Sequence, residues 1–241
     1  KKLKPFTIKG TIVKVEYDNE SIVNSQEEDF GGHGQEGKKD PIEINVLNKE
    51  IFDQALERTI KAFVKEDDYK KYISSTQEEI VDTGSIIEDI DTQEKITYRE
   101  DLLSTSDQIF TDVDTLTKYL MYGTTEKQAV YIVKEGNTIA EVAEANKLNV
   151  QEFLIANPEF TSENNLLYAN QEVSVGLINP LINIIVTYHT VAEEEKKYDT
   201  EEQIDEEKTV GYLEELRAGE NGSYLVTSKN QYINGQLVDS V

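Results

Sequence analysis

The stretch whose reading decides the fold runs from Tyr131 to Gly176: YIVKEGNTIAEVAEANKLNVQEFLIANPEFTSENNLLYANQEVSVG. Tyr131 to Val133 reads as a short strand, and Lys134 to Asn137 as a turn built around Gly136. Thr138 and Glu141 then stand three apart, the spacing at which a threonine oxygen and a glutamate carboxylate each satisfy an orphan backbone N–H. A helix is predicted to begin there, with Ile139, Val142 and Ala143 facing inward. Asn149 and Glu152 repeat the same logic for a second helix that turns Phe153 and Leu154 inward. Asn157 and Pro158 end it, and Tyr168 to Val175 is read as a second strand. The result is a β-α-α-β unit in fewer than fifty residues.

This unit resembles a LysM domain, a sugar-binding module found in many bacterial wall hydrolases. The residues that carry the resemblance are Tyr131, Val133, Gly136, Thr138 and Ile139, then Ala143, Leu148, Leu154 and Asn157-Pro158, and finally Leu167, Tyr168 and Gln171. Three departures stand out. Asn137 occupies a position where the family usually has Asp, Ala169-Asn170 replaces a usual Pro-Gly, and the segment between Pro158 and Leu167 is longer than typical. The resemblance implies binding of N-acetylglucosamine-containing glycan between two loops. In this chain one loop is Gly136, Asn137, Thr138 and Ile139, and the other is Ile155, Asn157, Pro158 and Phe160. Backbone amides beside Gly136 and Pro158 would pair with N-acetyl groups, while Ile139 and Phe160 would cover the apolar sugar face. The same residues have a structural reading: Thr138 as a helix cap, Ile139 and Ile155 as core, Asn157-Pro158 as a helix stop. Both readings stand at this point. Each such contact is worth about 1 kcal/mol, so one module binds weakly and gains by repetition.

Upstream, residues 1–128 read as an α+β region with no site chemistry. Phe6 to Val23 has the alternation of a strand pair, with a phase slip beside Gly10 that suggests a bulge. Residues 26–41, with four glycines and His33, read as a long mobile loop. Ile42 to Leu47 is a predicted strand, and Asn48 caps a helix carrying Ile51, Phe52, Ala55, Leu56, Ile60 and Phe63 on one face. A second helix is expected over Glu66 to Ser74, strands over Glu79 to Glu100, and a third helix from Thr111, with Asp114 at cap spacing and Gly123 at its end.

Downstream, Asn179-Pro180 reads as a domain boundary. Residues 181–241 then alternate between strand-like segments and turns at Gly211, Gly219, Asn221-Gly222 and Asn234-Gly235, the last a two-residue hairpin signal. The pattern of Gly211, Gly219-x-Asn221-Gly222 and Tyr232-x-Asn234-Gly235-x-x-Val238 resembles a G5 domain, an extended and sparsely cored β module of Gram-positive surfaces. The acidic runs Glu193 to Glu195 and Asp205 to Glu207 read as solvated strand edges rather than metal ligands. The fold class expected is therefore α+β and multi-domain: an N-terminal α+β region at 1–128, a LysM unit at 129–177, and a G5-like all-β module at 181–241.

Composition narrows the chemistry. The chain has 241 residues, 24 basic and 48 acidic, for a net charge of -24. This acidity argues against bare nucleic acid as a partner, because phosphate would be repelled over most of the surface. It is spread over all three regions, with two Lys against seven Glu in residues 129–177 and five basic against thirteen acidic residues from Leu181 onward. With no Cys there is no thiol nucleophile, iron–sulfur cluster or disulfide, and with only His33 and His189 there is no three-His zinc site. No apolar run reaches the length of a membrane span. The first residue is Lys1 and the sole methionine is Met121, so removal of a leader or a fragment boundary is expected at the start.

LysM followed by G5 resembles the non-catalytic part of a Gram-positive wall peptidase of the zinc-dependent M23 type. The paired histidine motifs such a peptidase needs are missing here, and no catalytic residues, cofactor or metal are expected. The expected function is that of an extracellular, wall-associated segment that binds peptidoglycan or another N-acetylglucosamine polymer and positions an attached domain. Two other readings stand beside it. One is a structural part of a phage tail or injection machine, with LysM as connector, placed in a virion. The other is the targeting half of a murein hydrolase whose catalytic domain lies elsewhere. The N-terminal region is the expected surface for protein partners.

Overall fold

The computed structural model describes residues 6–17, 40–204, 207–209 and 211–241. Its elements in chain order begin with β1 (Thr7–Glu16), β2 (Ile42–Val46), α1 (Lys49–Phe63), α2 (Glu66–Ile73), β3 (Gly84–Thr92), β4 (Lys95–Ser104) and α3 (Val113–Tyr122). There follow β5 (Val130–Ile132), α4 (Ile139–Ala145), α5 (Val150–Ala156), β6 (Glu172–Ser174), β7 (Ile184–Lys196), β8 (Gly222–Ile233) and β9 (Gln236–Ser240). Helices and antiparallel sheets share the chain, which is of the α+β class.

β1 is the central strand of a sheet ordered β2-β1-β4. It is a single strand of ten residues; the second strand expected over Ser21 to Val23, like most of the expected loop 26–41, lies outside the described residues. Gly10 marks no bulge. β1 pairs with β4 without a shift from Thr7↔Ser104 to Glu16↔Lys95. Gly10 is small because its neighbours are close: a Cβ there would stand 2.3 Å from Leu103 Cδ1 and 2.8 Å from the Val46 carbonyl oxygen. The apparent phase slip arises because glycine, with no side chain, interrupts the apolar count without interrupting the pleat.

Thr11, Val13 and Val15 of β1 face a core that also takes Ile44 and Val46 of β2, Phe52 and Ala55 of α1, and Leu116 and Leu120 of α3. Asn48 caps α1, its side chain accepting from the Ile51 N–H, and Tyr69 and Tyr72 of α2 pack on the same core. The cap of α3 is Asp112, one residue later than Thr111. Asp112 has extended backbone (φ -133°, ψ 148°) and its carboxylate accepts from the Thr115 N–H, a bond that holds its pKa below the usual value. An aspartate carboxylate at that place outcompetes the threonine hydroxyl before it as cap. Gly123 closes the helix in the left-handed region at φ 69°.

The second sheet, ordered β3-β7-β8-β9, crosses the expected division at 180. β3 comes from the N-terminal region, yet it pairs with β7 from Gly84↔Val191 to Thr92↔Ile184. The reason lies in the first half of the segment after Pro180. Ile182 and Ile184 are fully buried and Val186 is 2% exposed, all in the cluster that holds Val13, Phe52 and Leu116. An extended module standing by itself was expected here; instead its apolar start completes the N-terminal core. The distal part of β7 (Ala192 to Lys196), the first four residues of β8 and all of β9 are exposed, the sparsely cored character implied by the resemblance. The Asn234-Gly235 turn forms as the sequence indicates, with both residues at positive φ (49° and 79°) between β8 and β9.

Candidate functional site: the loops of the β-α-α-β unit

Between α3 and β7 the chain forms a small unit with its own core: Val133, Ile139, Val142, Ala143, Leu148, Phe153, Phe160, Val173 and Val175. β5 and β6 pair antiparallel from Val130↔Ser174 to Ile132↔Glu172. Both helices are only seven residues long, below the length at which helix propensity suffices in water, so caps and packing hold them. Both capping boxes are complete. Thr138 Oγ1 accepts from the Glu141 N–H at 3.2 Å while Glu141 Oε2 accepts from the Thr138 N–H at 3.0 Å. Asn149 Oδ1 and Glu152 Oε2 make the same reciprocal pair, each at 2.8 Å.

The first loop, Lys134 to Thr138, is shaped by Gly136 and Asn137. Gly136 sits at φ 83°, with no atom within 4 Å of where a Cβ would be, so conformation and not space requires glycine. Asn137 is held inward: its Oδ1 accepts from the Lys134 N–H at 2.9 Å and the Tyr131 hydroxyl at 3.2 Å. An aspartate oxygen would accept the same two bonds. The N–H groups of Glu135 and Gly136 have no acceptor among the described residues and are left to solvent or ligand.

The second loop runs from Asn157 to Gln171. Asn157 is 2% exposed and ties α5 to β6: its Nδ2 donates to the Phe153 and Ser174 carbonyls, each at 2.8 Å, and its Oδ1 accepts from the Ser174 N–H at 2.7 Å. Phe160 turns inward and stacks on Phe153 with ring centroids 6.0 Å apart. Asn165 holds the longer segment by accepting from the Thr161 and Ser162 N–H groups. The strand expected from Tyr168 begins only at Glu172, because Asn170 takes a left-handed turn at φ 68°. Asparagine tolerates that conformation better than most residues, which explains how it replaces the usual glycine.

The eight residues singled out in the sequence thus divide. Gly136, Asn137, Thr138 and Pro158 lie in the loops at least partly open to solvent. Ile139 is fully buried, and Asn157 and Phe160 are buried at 2% and 9% exposure, so their side chains build the unit instead of covering a sugar face. Ile155 is buried too, but against the large core shared by the two sheets and not against its own unit. Leu166 and Tyr168, which were not singled out for a ligand, are 74% and 69% exposed in the second loop. Leu166-Leu167-Tyr168 reads as one apolar run, yet period two puts only Leu167 inward and its neighbours out. The loops also carry Lys134 against Glu135, Glu159 and Glu163, all exposed, a balance that disfavours anionic ligands.

The family model of the LysM domain matches residues 131–176. The match covers all of the β-α-α-β unit but Val130 and supports a LysM module with the glycan-binding character of that family, for peptidoglycan or chitin. No curated protein and no solved structure matches the chain. No helix among the described residues is long and apolar enough to cross a membrane.

Proposed function

We propose that this chain is a non-catalytic wall-binding segment, which holds N-acetylglucosamine-containing glycan in the loops of its LysM module and positions an attached domain on peptidoglycan outside the cell. The observation that carries the reading is the coincidence of the LysM match with a formed unit whose two capping boxes and Asn157 tie leave the loop amides of Glu135 and Gly136 unspent. Those amides suit acetyl oxygens. Tyr168 and Leu166 supply the exposed apolar surface that Ile139 and Phe160, being buried, do not. The C-terminal ribbon, with its G5-like turns, serves as a spacer on the wall side, and the exposed face of β4, with Leu102 at 60%, is available to a protein partner.

Retention on purified insoluble peptidoglycan tests this reading. The unmodified chain is expected in the pellet, and Tyr168→Ala with Leu166→Ala is expected to move it toward the supernatant. Failure of the unmodified chain to pellet sinks wall binding. Full retention of the double variant sinks the assignment to these loops.

A further inference from the structure

A cleft of about 700 Å³ lies beside the LysM unit, apart from its two loops. That size falls within the range of roughly 300–1,000 Å³ usual for ligand sites. One wall is the first turn of α5, with Asn149, Gln151 and Glu152; the other is the β8–β9 turn, with Asn234, Gly235 and Gln236. The walls approach where a Cβ on Gly235 would stand 4.0 Å from Gln151 Cγ.

Charge selects the ligand first. In a chain with 48 acidic residues, the cleft holds no Lys or Arg and a single carboxylate, that of Glu152. Glu152 already accepts from the Asn149 N–H at 2.8 Å. Phosphates and carboxylates find no counter-charge, and a cation finds one carboxylate that is already engaged. An uncharged ligand is what remains.

Hydrogen-bonding capacity selects it further. Gln151, Gln231 and Gln236 line the cleft, and their side-chain amides make no hydrogen bond among the described residues. Each offers two donors and an acceptor, which matches hydroxyl and acetamido groups that both give and take. Ile155, Ile233 and Val238 add apolar surface for sugar ring faces and acetyl methyls. Asn183 and Asn234 are spent on bonds within the floor. Asn234 Nδ2 donates to Asn183 Oδ1 at 2.7 Å, and Asn183 Nδ2 donates to the buried Glu94 carboxylate at 2.8 Å. Asn234 Oδ1 accepts from the Ile184 N–H at 2.9 Å. A hydrogen-bonded floor therefore lies beneath side-chain amides that are free to meet a ligand.

We infer that this cleft is a second binding site for uncharged N-acetylated glycan, formed where α5 docks beside the β8–β9 turn. The inference rests on the glycan-binding reading of the LysM module. It makes the unit and the C-terminal sheet two sides of one binding surface, so that a single polymer chain engaging both sites gains by linkage.

Titration of the full chain with the N-acetylglucosamine hexamer, followed by nuclear magnetic resonance, tests it. The side-chain amide signals of Gln151, Gln231 and Gln236 are expected to shift alongside the backbone signals of residues 135–138. Gln231→Ala with Gln236→Ala is expected to weaken binding in the cleft roughly thirtyfold, the loss of about two net hydrogen bonds, while shifts at 135–138 persist. Gln151→Ala, on the opposite wall, is expected to weaken the cleft alone as well. Shifts confined to 135–138 and unchanged by these variants overturn the cleft and leave the loop reading standing. Shifts confined to the cleft uphold it and overturn the loop reading, and no shift anywhere overturns both. A neutral capped dipeptide that moves the three glutamine signals where the hexamer does not overturns the glycan assignment.

Discussion

Asn157 shows how one side chain decides between a binding role and a structural one. Its amide makes three hydrogen bonds that close α5 onto β6, and at 2% exposure none of its polar atoms is free for a ligand. Asn157→Ala leaves the Ser174 N–H and carbonyl without the side chain's bonds, while the Phe153 carbonyl keeps the Asn157 backbone N–H, and it is expected to cost about 2–3 kcal/mol, read as a lower denaturant midpoint. Loss of glycan retention in that variant would follow from unfolding of the unit, which is why Tyr168 and Leu166 are the better probes of contact. Asn137 and Asn170 make the same point. Both depart from the family's usual residues, and both keep what the site needs, an inward oxygen and a left-handed turn.

The short helices make the caps matter at the level of elements. With seven residues each, α4 and α5 have few internal bonds to lose, so their first turns are disproportionately important. Asn149→Ala is expected to destabilise the unit by about 1 kcal/mol and to raise amide hydrogen exchange in α5 before any other element. These caps were legible in the sequence because the two partners are three residues apart. Gly10 was not: its sequence neighbours suggest a bulge, whereas the residues that demand a glycine, Val46 and Leu103, lie on flanking strands far away in the chain.

The arrangement of the whole molecule depends on the segment after Pro180 returning to the N-terminal core. Tyr17 joins the two, its hydroxyl donating to the Leu181 carbonyl at 3.1 Å. Burial, helped by the nearby Glu94 charge, pushes the Tyr17 phenol up to about 12. Tyr98 is pushed up to about 12 as well, by burial and by Asp53, whose carboxylate accepts from its hydroxyl. A folded-state pKa above the unfolded value means stability is intact below pH of about 10 and is lost as pH rises through about 12. Denaturant unfolding followed across that window is expected to show a falling midpoint, with a shallower fall in Tyr17→Phe.

The sequence by itself determined the β-α-α-β unit, its two caps, the helix α1 with its buried stripe, and the Asn234-Gly235 turn. All of these rest on residues within a few positions of one another, where periodicity and hydrogen-bond spacing are directly readable. Only the tertiary structure decided that β3 pairs with β7, that Ile155 packs outside its own unit, and that Ile139 and Phe160 are core. The physical reason is common to all three. An apolar side chain carries the same signature whether it faces a ligand, its own core or a neighbouring one, and its partner is fixed by contacts between residues distant in the chain.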